Sequence, residues 1–484
     1  MKIAIVSSEM YPYAKTGGLG DYVFTLVNQL KNKGVECYGI IPFYKHIKEK
    51  YVLGKNFEGD SGLEISDEKI EGIEIKDTGK KLKVEMNGRA FEFSIYQGNN
   101  CIFFENEELF GRDFIYGPPG GSYDDNHIRF GAFCWAVAKS LKEKIIDFDI
   151  IHTNDWITSL VPLISKEIFR IDKKFAFTIH NFAYQGLYPK NVMQELGLPS
   201  YLFNMEALEF WGLVNIIKAG IVFSDQIFVV SPTYAEEIKT YDYGYGLEGL
   251  IRKYEWKIKG ILNGIDYKVW DPTNDKEIPQ TYSEKTLAKR SKNKTKLAKE
   301  YGFDAKKPLF CVISRLTHQK GMHFFTEYHK EVFSLKANFL FLGMGEYQHK
   351  ISSLSSIYDN VKVETRFRET LARKFYAAAD FILVPSLFEP CGISQIIGMR
   401  YGCIPVVRKT GGLADTVKDI QEEDGYGIVF ENPTKQEFLC ALKRAVELYD
   451  NKAKLKKLTS KVMKLDFSAE RMVQEYLKVY EKMI

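Results

Sequence analysis

No run of about 18 uninterrupted apolar residues occurs, and the opening MKIAIVSSE carries an apolar stretch too short for a secretory leader. A soluble, cytoplasmic chain is the expectation. Cysteine is sparse and unpatterned: Cys37, Cys101, Cys134, Cys311, Cys391, Cys403 and Cys440 are odd in number, and no CxxC pair occurs. That excludes a disulfide framework and a structural zinc site, and it fits a reducing compartment. The eight histidines have no ligand spacing, so no metal is expected. Charge of one sign is also missing. With 67 basic and 63 acidic residues, the net +4 over 484 residues is too weak a field for a dedicated nucleic-acid binder, although small anions remain plausible ligands. No GxxxxGK followed by Ser or Thr occurs, which removes the usual phosphate-loop kinases and ATPases. A content of 45% hydrophobic and 27% charged residues excludes disorder and leaves an ordinary globular chain of two or three domains.

What is present is a recurrent βα pattern. Short apolar runs bounded by turn residues fall at Ile3–Ser7, Cys37–Pro42, Asp149–His152, Phe175–His180, Gln226–Ser231, Leu309–Ser314, Phe339–Gly343, Phe381–Pro385 and Ile404–Arg408. Most lead into helical periodicity, which predicts parallel sheets in two stacks. Residues 52–96 alternate charged and apolar positions and are expected to form antiparallel strands inserted in the first stack. The basic stretch 281–301 reads as a solvated helix face. Asp147-Phe148-Asp149 reads as a strand entry rather than a metal motif. Glycines near Tyr241–Lys257 mark a break, giving domains at 1–245 and 246–465, and residues 466–484 should form an amphipathic helix.

The most informative feature is an internal repeat. Lys15-Thr16-Gly17-Gly18-Leu19-Gly20-Asp21 and Lys409-Thr410-Gly411-Gly412-Leu413-Ala414-Asp415 agree at six of seven positions, each between a strand and a helix. Glycines there let backbone N–H groups approach an anion at a helix N-terminus, and the lysine adds a full charge. Two tight turns are the plainer alternative. Arg315 and Lys320 follow one strand and Glu389-Pro390-Cys391-Gly392 another, where open α/β sheets bind ligands. The two cations suit a departing diphosphate, and Glu389 suits sugar hydroxyls; a surface ion-pair network and a charged helix start are the alternatives. His152 and His180 end neighbouring strands beside Trp156 and Tyr184, a sugar-sized polar pocket with aromatic walls.

On these segments, with Asp125-Asn126, Asn154-Asp155-Trp156, Ser231–Ala235, Leu262–Asp266 and Tyr401–Thr416, the chain resembles the bacterial glycogen synthase and plant starch synthase family almost end to end. The resemblance implies the GT-B fold, two Rossmann-like domains with parallel sheets facing across a deep interdomain cleft, and a terminal helix packed back on the first domain. It implies transfer of glucose from ADP-glucose, the donor substrate, to an α-1,4-glucan such as glycogen with retention. No cofactor, metal, nucleic acid or membrane is implied, and a homo-oligomer is left open. Catalytic roles would fall to Glu389, Arg315, Lys320, Lys15 and Asp125. Substrate contacts would come from Lys15, Gly17, Gly18, Asp21, His152, Asn154, His180, Asn181, Arg315, Lys320, Phe367, Glu389, Cys391, Gly392, Gly411, Gly412 and Leu413, with Phe367 stacking on the base. Two departures stand out: Asn154 occupies a position that is histidine in many relatives, and Ile397 replaces the second glutamate of broader retaining GT-B enzymes. A transferase using another sugar or acceptor, or a silent glucan-binding protein, are the competing readings.

Overall fold

The computed structural model describes residues 1–54, 72–118, 120–366 and 368–484. Part of the 52–96 segment, and Phe367, therefore lie outside the described residues. The chain divides into two compact units: Met1–Val230 with Ala235–Ile261 and Val473–Ile484, and Ser231–Tyr234 with Leu262–Met472. The passage between them falls at Ile261–Leu262. Residue 246 lies inside the first unit, because the chain beyond the glycines returns to that unit's sheet.

The first unit carries strands β1 (Lys2–Val6), β2 (Glu36–Pro42), β3 (Lys76–Met86), β4 (Arg89–Gln97), β5 (Cys101–Glu105), β6 (Ile150–Asn154), β7 (Lys174–Ile179), β8 (Leu187–Pro189), β9 (Glu209–Phe210), β10 (Leu213–Asn215), β11 (Gln226–Val229) and β12 (Ile258–Gly260). Nine form one sheet in the order β12-β11-β7-β6-β1-β2-β5-β4-β3, and β8-β10-β9 form a small antiparallel sheet. β1, β6 and β7 are buried along nearly their whole length, as strands covered on both faces must be. The charged–apolar alternation after residue 75 becomes the antiparallel pair β3–β4, with β4 also antiparallel to β5. These strands widen the main sheet at its edge rather than forming a separate layer. Asp149 accepts the Lys2 N–H at 2.7 Å, so the acidic triplet is indeed the entry to β6.

The second unit holds β13 (Leu309–Ile313), β14 (Asn338–Leu342), β15 (Val361–Glu364), β16 (Phe381–Val384), β17 (Ile404–Arg408) and β18 (Ile428–Phe430), all parallel, in the order β15-β14-β13-β16-β17-β18. Its core is dominated by Phe310, Phe339, Phe341 and Phe381, each about 1.5–3 kcal/mol better buried than exposed. The basic stretch is not simply solvated. Within and before the helix Ser291–Tyr301, Arg290 and Lys294 turn inward: Lys294 Nζ meets Asp380 Oδ2 at 2.6 Å and Tyr449 Oη at 2.7 Å, and Arg290 Nε donates to Tyr401 O at 3.0 Å. A buried cation is tolerated only with such partners.

The order of the parallel strands reverses between β1 and β6 in the first unit and between β13 and β16 in the second, and in the first unit the inserted strands also run back from β3 to β5 toward β2. The carboxyl ends flanking a reversal are where open α/β sheets leave a crevice. No helix among the described residues is long and apolar enough to cross a membrane.

Candidate active-site loops

In the second unit the loops after β14, β13, β16 and β17 interlock. Leu316 N–H donates to Met344 O at 2.7 Å and His318 N–H to Glu346 Oε1 at 2.6 Å. Leu387 N–H donates to Gln319 O at 2.8 Å, and Gln319 Nε2 to Phe388 O at 3.2 Å. Arg408, at the end of β17, braces the Leu387 carbonyl from below. These ties bring Lys320 Nζ within 2.5 Å of Glu389 Oε2, which also accepts the Ser386 hydroxyl at 2.9 Å. Lys320 and Glu389 thus stand on either side of the strand-order reversal. An ammonium has three donors, so Glu389 leaves Lys320 two for a ligand. Arg315, in the same loop, is exposed.

The second copy of the repeat meets this cluster through its glycines. Gly412 N–H donates to Glu389 O at 3.1 Å and to Pro390 O at 3.2 Å, and Leu413 N–H to Thr410 O at 3.0 Å. A Cβ on Gly411, whose φ is +43°, would lie 2.1 Å from Glu389 O; one on Gly412 would lie 2.1 Å from Cys391 O. Here the glycines allow backbone to pack on backbone and so fix Glu389. Lys409 is exposed and pairs with Glu431 at 2.7 Å. Asp415 accepts the Thr233 N–H at 2.9 Å and its hydroxyl at 2.6 Å. Cys391 is buried, its thiol pushed up to about 12 by burial, and Gln395 holds the Gly392 carbonyl at 2.8 Å.

The first copy is built differently. Lys15 is largely buried, and its Nζ meets Asp21 Oδ2 at 2.8 Å within the repeat itself. Gly17 caps the helix Gly18–Asn32 in extended conformation, and a Cβ there would meet nothing within 4 Å. The turn is set by Glu9, which accepts the Thr16 N–H and hydroxyl, both at 2.7 Å, and the Tyr116 hydroxyl at 2.6 Å. Burial raises the Glu9 carboxyl above its ordinary range against the pull of these donors. Neither Glu9 nor Tyr116 carries a motif that would have marked it in the sequence.

At the neighbouring end of β6, Asn154 is buried with both ends of its side chain engaged: Nδ2 donates to Val6 O at 3.0 Å, and Oδ1 accepts from His180 Nε2 at 2.9 Å. Asp155 follows in a left-handed conformation, φ +53°, and accepts the His180 N–H at 2.8 Å. Burial, opposed by the His180 and Asn181 amides, pushes its carboxyl up to about 7. His152 does not join a sugar pocket in this structure. It is fully buried between Tyr480 Oη on the last helix, Ala469–Met483, and Thr178 Oγ1, each at 2.6 Å from a ring nitrogen. Tyr22 and Tyr476 share a second such tie at 2.8 Å. Asn181 turns its Oδ1 to the Ala183 N–H at 3.1 Å. Asp125, at the start of the helix Asn126–Lys142, is gripped by both Arg112 nitrogens at 2.7 and 2.6 Å. Partial burial would raise its carboxyl, but Arg112 prevails and holds it below the usual carboxylate range.

Residues 2–253 match the family described as the starch synthase catalytic domain, and residues 293–462 match the glycosyl transferases group 1 family. The chain is 52% identical over 482 residues to a glycogen synthase of Aquifex aeolicus, covering 100% of this chain and 99% of that one. It is 38% identical to a glycogen synthase of Thermodesulfovibrio yellowstonii, covering 100% and 98%. Among solved structures, the catalytic domain of starch synthase IV from Arabidopsis thaliana, bound to ADP and acarbose, superposes with a TM-score of 0.87 at 30% identity, covering 100% of this chain and 99% of that one. Sucrose-phosphate synthase from Thermosynechococcus elongatus, at 16% identity and a TM-score of 0.62, shares the fold.

Proposed function

We propose, from the premise that this chain belongs to the glycogen and starch synthase family of glycosyltransferases, that it transfers glucose from ADP-glucose to the nonreducing end of an α-1,4-glucan with retention. Its two α/β units with parallel sheets are those of the GT-B class. The observation that carries the reading is the Lys320–Glu389 pair beside exposed Arg315 at the strand-order reversal of the second unit.

In this reading Arg315 and Lys320 hold the diphosphate and stabilise it as it departs. Glu389 orients Lys320 and accepts hydrogen bonds from the transferred glucose, on a turn that Gly392, Gly411, Gly412 and Leu413 keep in place. In the first unit, Lys15 and Gly17 serve a phosphate or sugar hydroxyl, and anionic Asp125 takes a hydroxyl of the reacting sugar. Phe367 stacks on the adenine. Double displacement needs a carboxylate nucleophile beside the anomeric carbon, a role that nothing in the sequence assigns to a named residue, and Glu389 Oε2 serves to hold Lys320 and the Ser386 hydroxyl. Front-face displacement fits better: the bond from C1 to the phosphate oxygen breaks as the bond from the acceptor oxygen to C1 forms on the same face. The acceptor's proton passes to the departing phosphate. The seven cysteines, none of them in a disulfide, suit a cytoplasmic setting.

The test is incubation with radiolabelled ADP-glucose and glycogen in EDTA, followed by digestion specific for α-1,4 linkages. Label released by that digestion is the expected result. Absence of incorporation with retained glucan binding would instead favour a silent binding protein.

A further inference from the structure

At the opposite, amino-terminal ends of β7, β11 and β12, the first unit has a pocket of about 490 Å³, open to solvent, that none of the preceding chemistry uses. Lys174, Trp256, Lys259 and Lys482 line it, with Val479 and Met483 of the last helix forming an apolar side. Trp256 is 76% exposed, an unusual position for the largest apolar side chain, and the Lys257 ammonium sits 5.8 Å from its ring.

The charge of the cavity is unbalanced. Asp225, which also lines it, is already engaged by Lys166 Nζ at 2.6 Å and the Phe175 N–H at 2.8 Å. Lys259 is matched by Glu475 at 3.1 Å. The carbonyl end of the last helix adds about half a negative charge, which Lys482 in its last turn offsets. Lys174 has no carboxylate partner among the described residues, and the cavity is left cationic. Its volume falls within the range of about 300–1,000 Å³ typical of small-molecule sites.

We propose that this cavity binds a nucleoside phosphate, with the base stacked on Trp256 and the phosphate held by Lys174 and Lys482. A neutral glucan would gain from the indole and from ordinary hydrogen bonds to the ammonium groups, whereas a nucleoside phosphate also uses their charge. The site is separate from the donor loops, and the proposal does not depend on the transferase reading.

The experiment is calorimetric titration of the full chain with AMP, ribose 5-phosphate and inorganic phosphate, repeated on Trp256→Ala, Trp256→Phe and the double variant Lys174→Ala/Lys482→Ala. Stacking on an aromatic is worth about 1–3 kcal/mol, so Trp256→Ala should weaken AMP binding by about five- to 150-fold, with Trp256→Phe restoring most of it. The double variant should weaken AMP and ribose 5-phosphate alike, with far-UV circular dichroism and glucosyl transfer unchanged. The proposal is overturned if millimolar AMP does not bind, if its affinity is the same in all variants, or if inorganic phosphate binds the wild type as tightly as AMP.

Discussion

Lys320 Nζ stands 2.5 Å from Glu389 Oε2, across the one place in the second unit's sheet where strand order reverses. The pair joins two loops that leave different strands, so altering either residue frees a hydrogen-bonding atom of the other.

Lys320→Gln is expected to lower kcat by about 10²–10³ while changing the KM for ADP-glucose much less, because the cation meets charge that develops as the diphosphate leaves. Glu389→Ala should fall by a similar factor with the fold intact. Steady-state kinetics on both variants decides it: an effect confined to KM would make Lys320 a ground-state anchor only.

The two copies of the repeat should respond differently to loss of their lysines. Lys409 is solvent-exposed and paired at the surface with Glu431, an interaction worth about 0–1 kcal/mol, so Lys409→Gln should leave kcat/KM within about twofold. Lys15 is shielded and held by Asp21, and Lys15→Gln should reduce kcat/KM by about tenfold or more if it serves the donor. Equal effects would mean that the two lysines serve alike.

The corresponding glycines should diverge in the opposite sense. Gly411→Ala would drive a methyl into the Glu389 carbonyl at a left-handed residue, and a loss of stability of about 1–3 kcal/mol or more is expected in urea denaturation. Gly17→Ala meets no neighbouring atom and should keep its stability, so any drop in turnover there would report the approach of a ligand.

Acid should weaken the first unit through its buried histidines. Burial holds His152 and His180 each down to about 3, against 6.5 when unfolded. Below 6.5 the unfolded chain takes up protons that the native chain refuses, so their contribution is complete above that pH and is lost as pH falls toward 3. Asp155, pushed up to about 7, acts in reverse: its contribution is complete below 3.8 and disappears as pH rises through 7. Denaturation of His152→Gln should show a flatter acid limb than wild type, and Asp155→Asn should lose the decline toward neutrality. Tyr480→Phe, which strands one His152 nitrogen, should cost about 1–3 kcal/mol at pH 7 with turnover unchanged.

The parallel strands were legible because each is a short, doubly buried apolar run, and β1, β6, β13 and β16 end at the very motifs that suggested chemistry. The Lys320–Glu389 meeting was approachable for the same reason, since both residues follow strands. Glu9, Tyr116, Arg112 and Ser386 were not legible. They act through hydrogen bonds between segments distant in sequence, which leave no periodicity. His152 misled because a histidine at a strand end looks the same whether its ring faces a ligand or a helix that arrives more than 300 residues later. Arg290 and Lys294 were misread because lysine-rich helices are ordinarily solvated, and the partners that draw them inward, Asp380 and Tyr449 for Lys294 and the Tyr401 carbonyl for Arg290, are distant in sequence.

The return of residues Val473–Ile484 to the first unit has a consequence for synthesis on the ribosome. All of Leu262–Met472 must be translated between Ile261 and the last helix, which at about 5–20 residues per second takes on the order of ten to forty seconds. Throughout that interval the nascent first unit exposes the side of β6 and of the helix Gly18–Asn32 that Tyr476 and Tyr480 will cover, with His152 and Tyr22 hydrogen-bonded to water. The earliest-made half of the protein is thus the last to be completed, and its vulnerability to proteases and chaperones is set by the translation time of the other half.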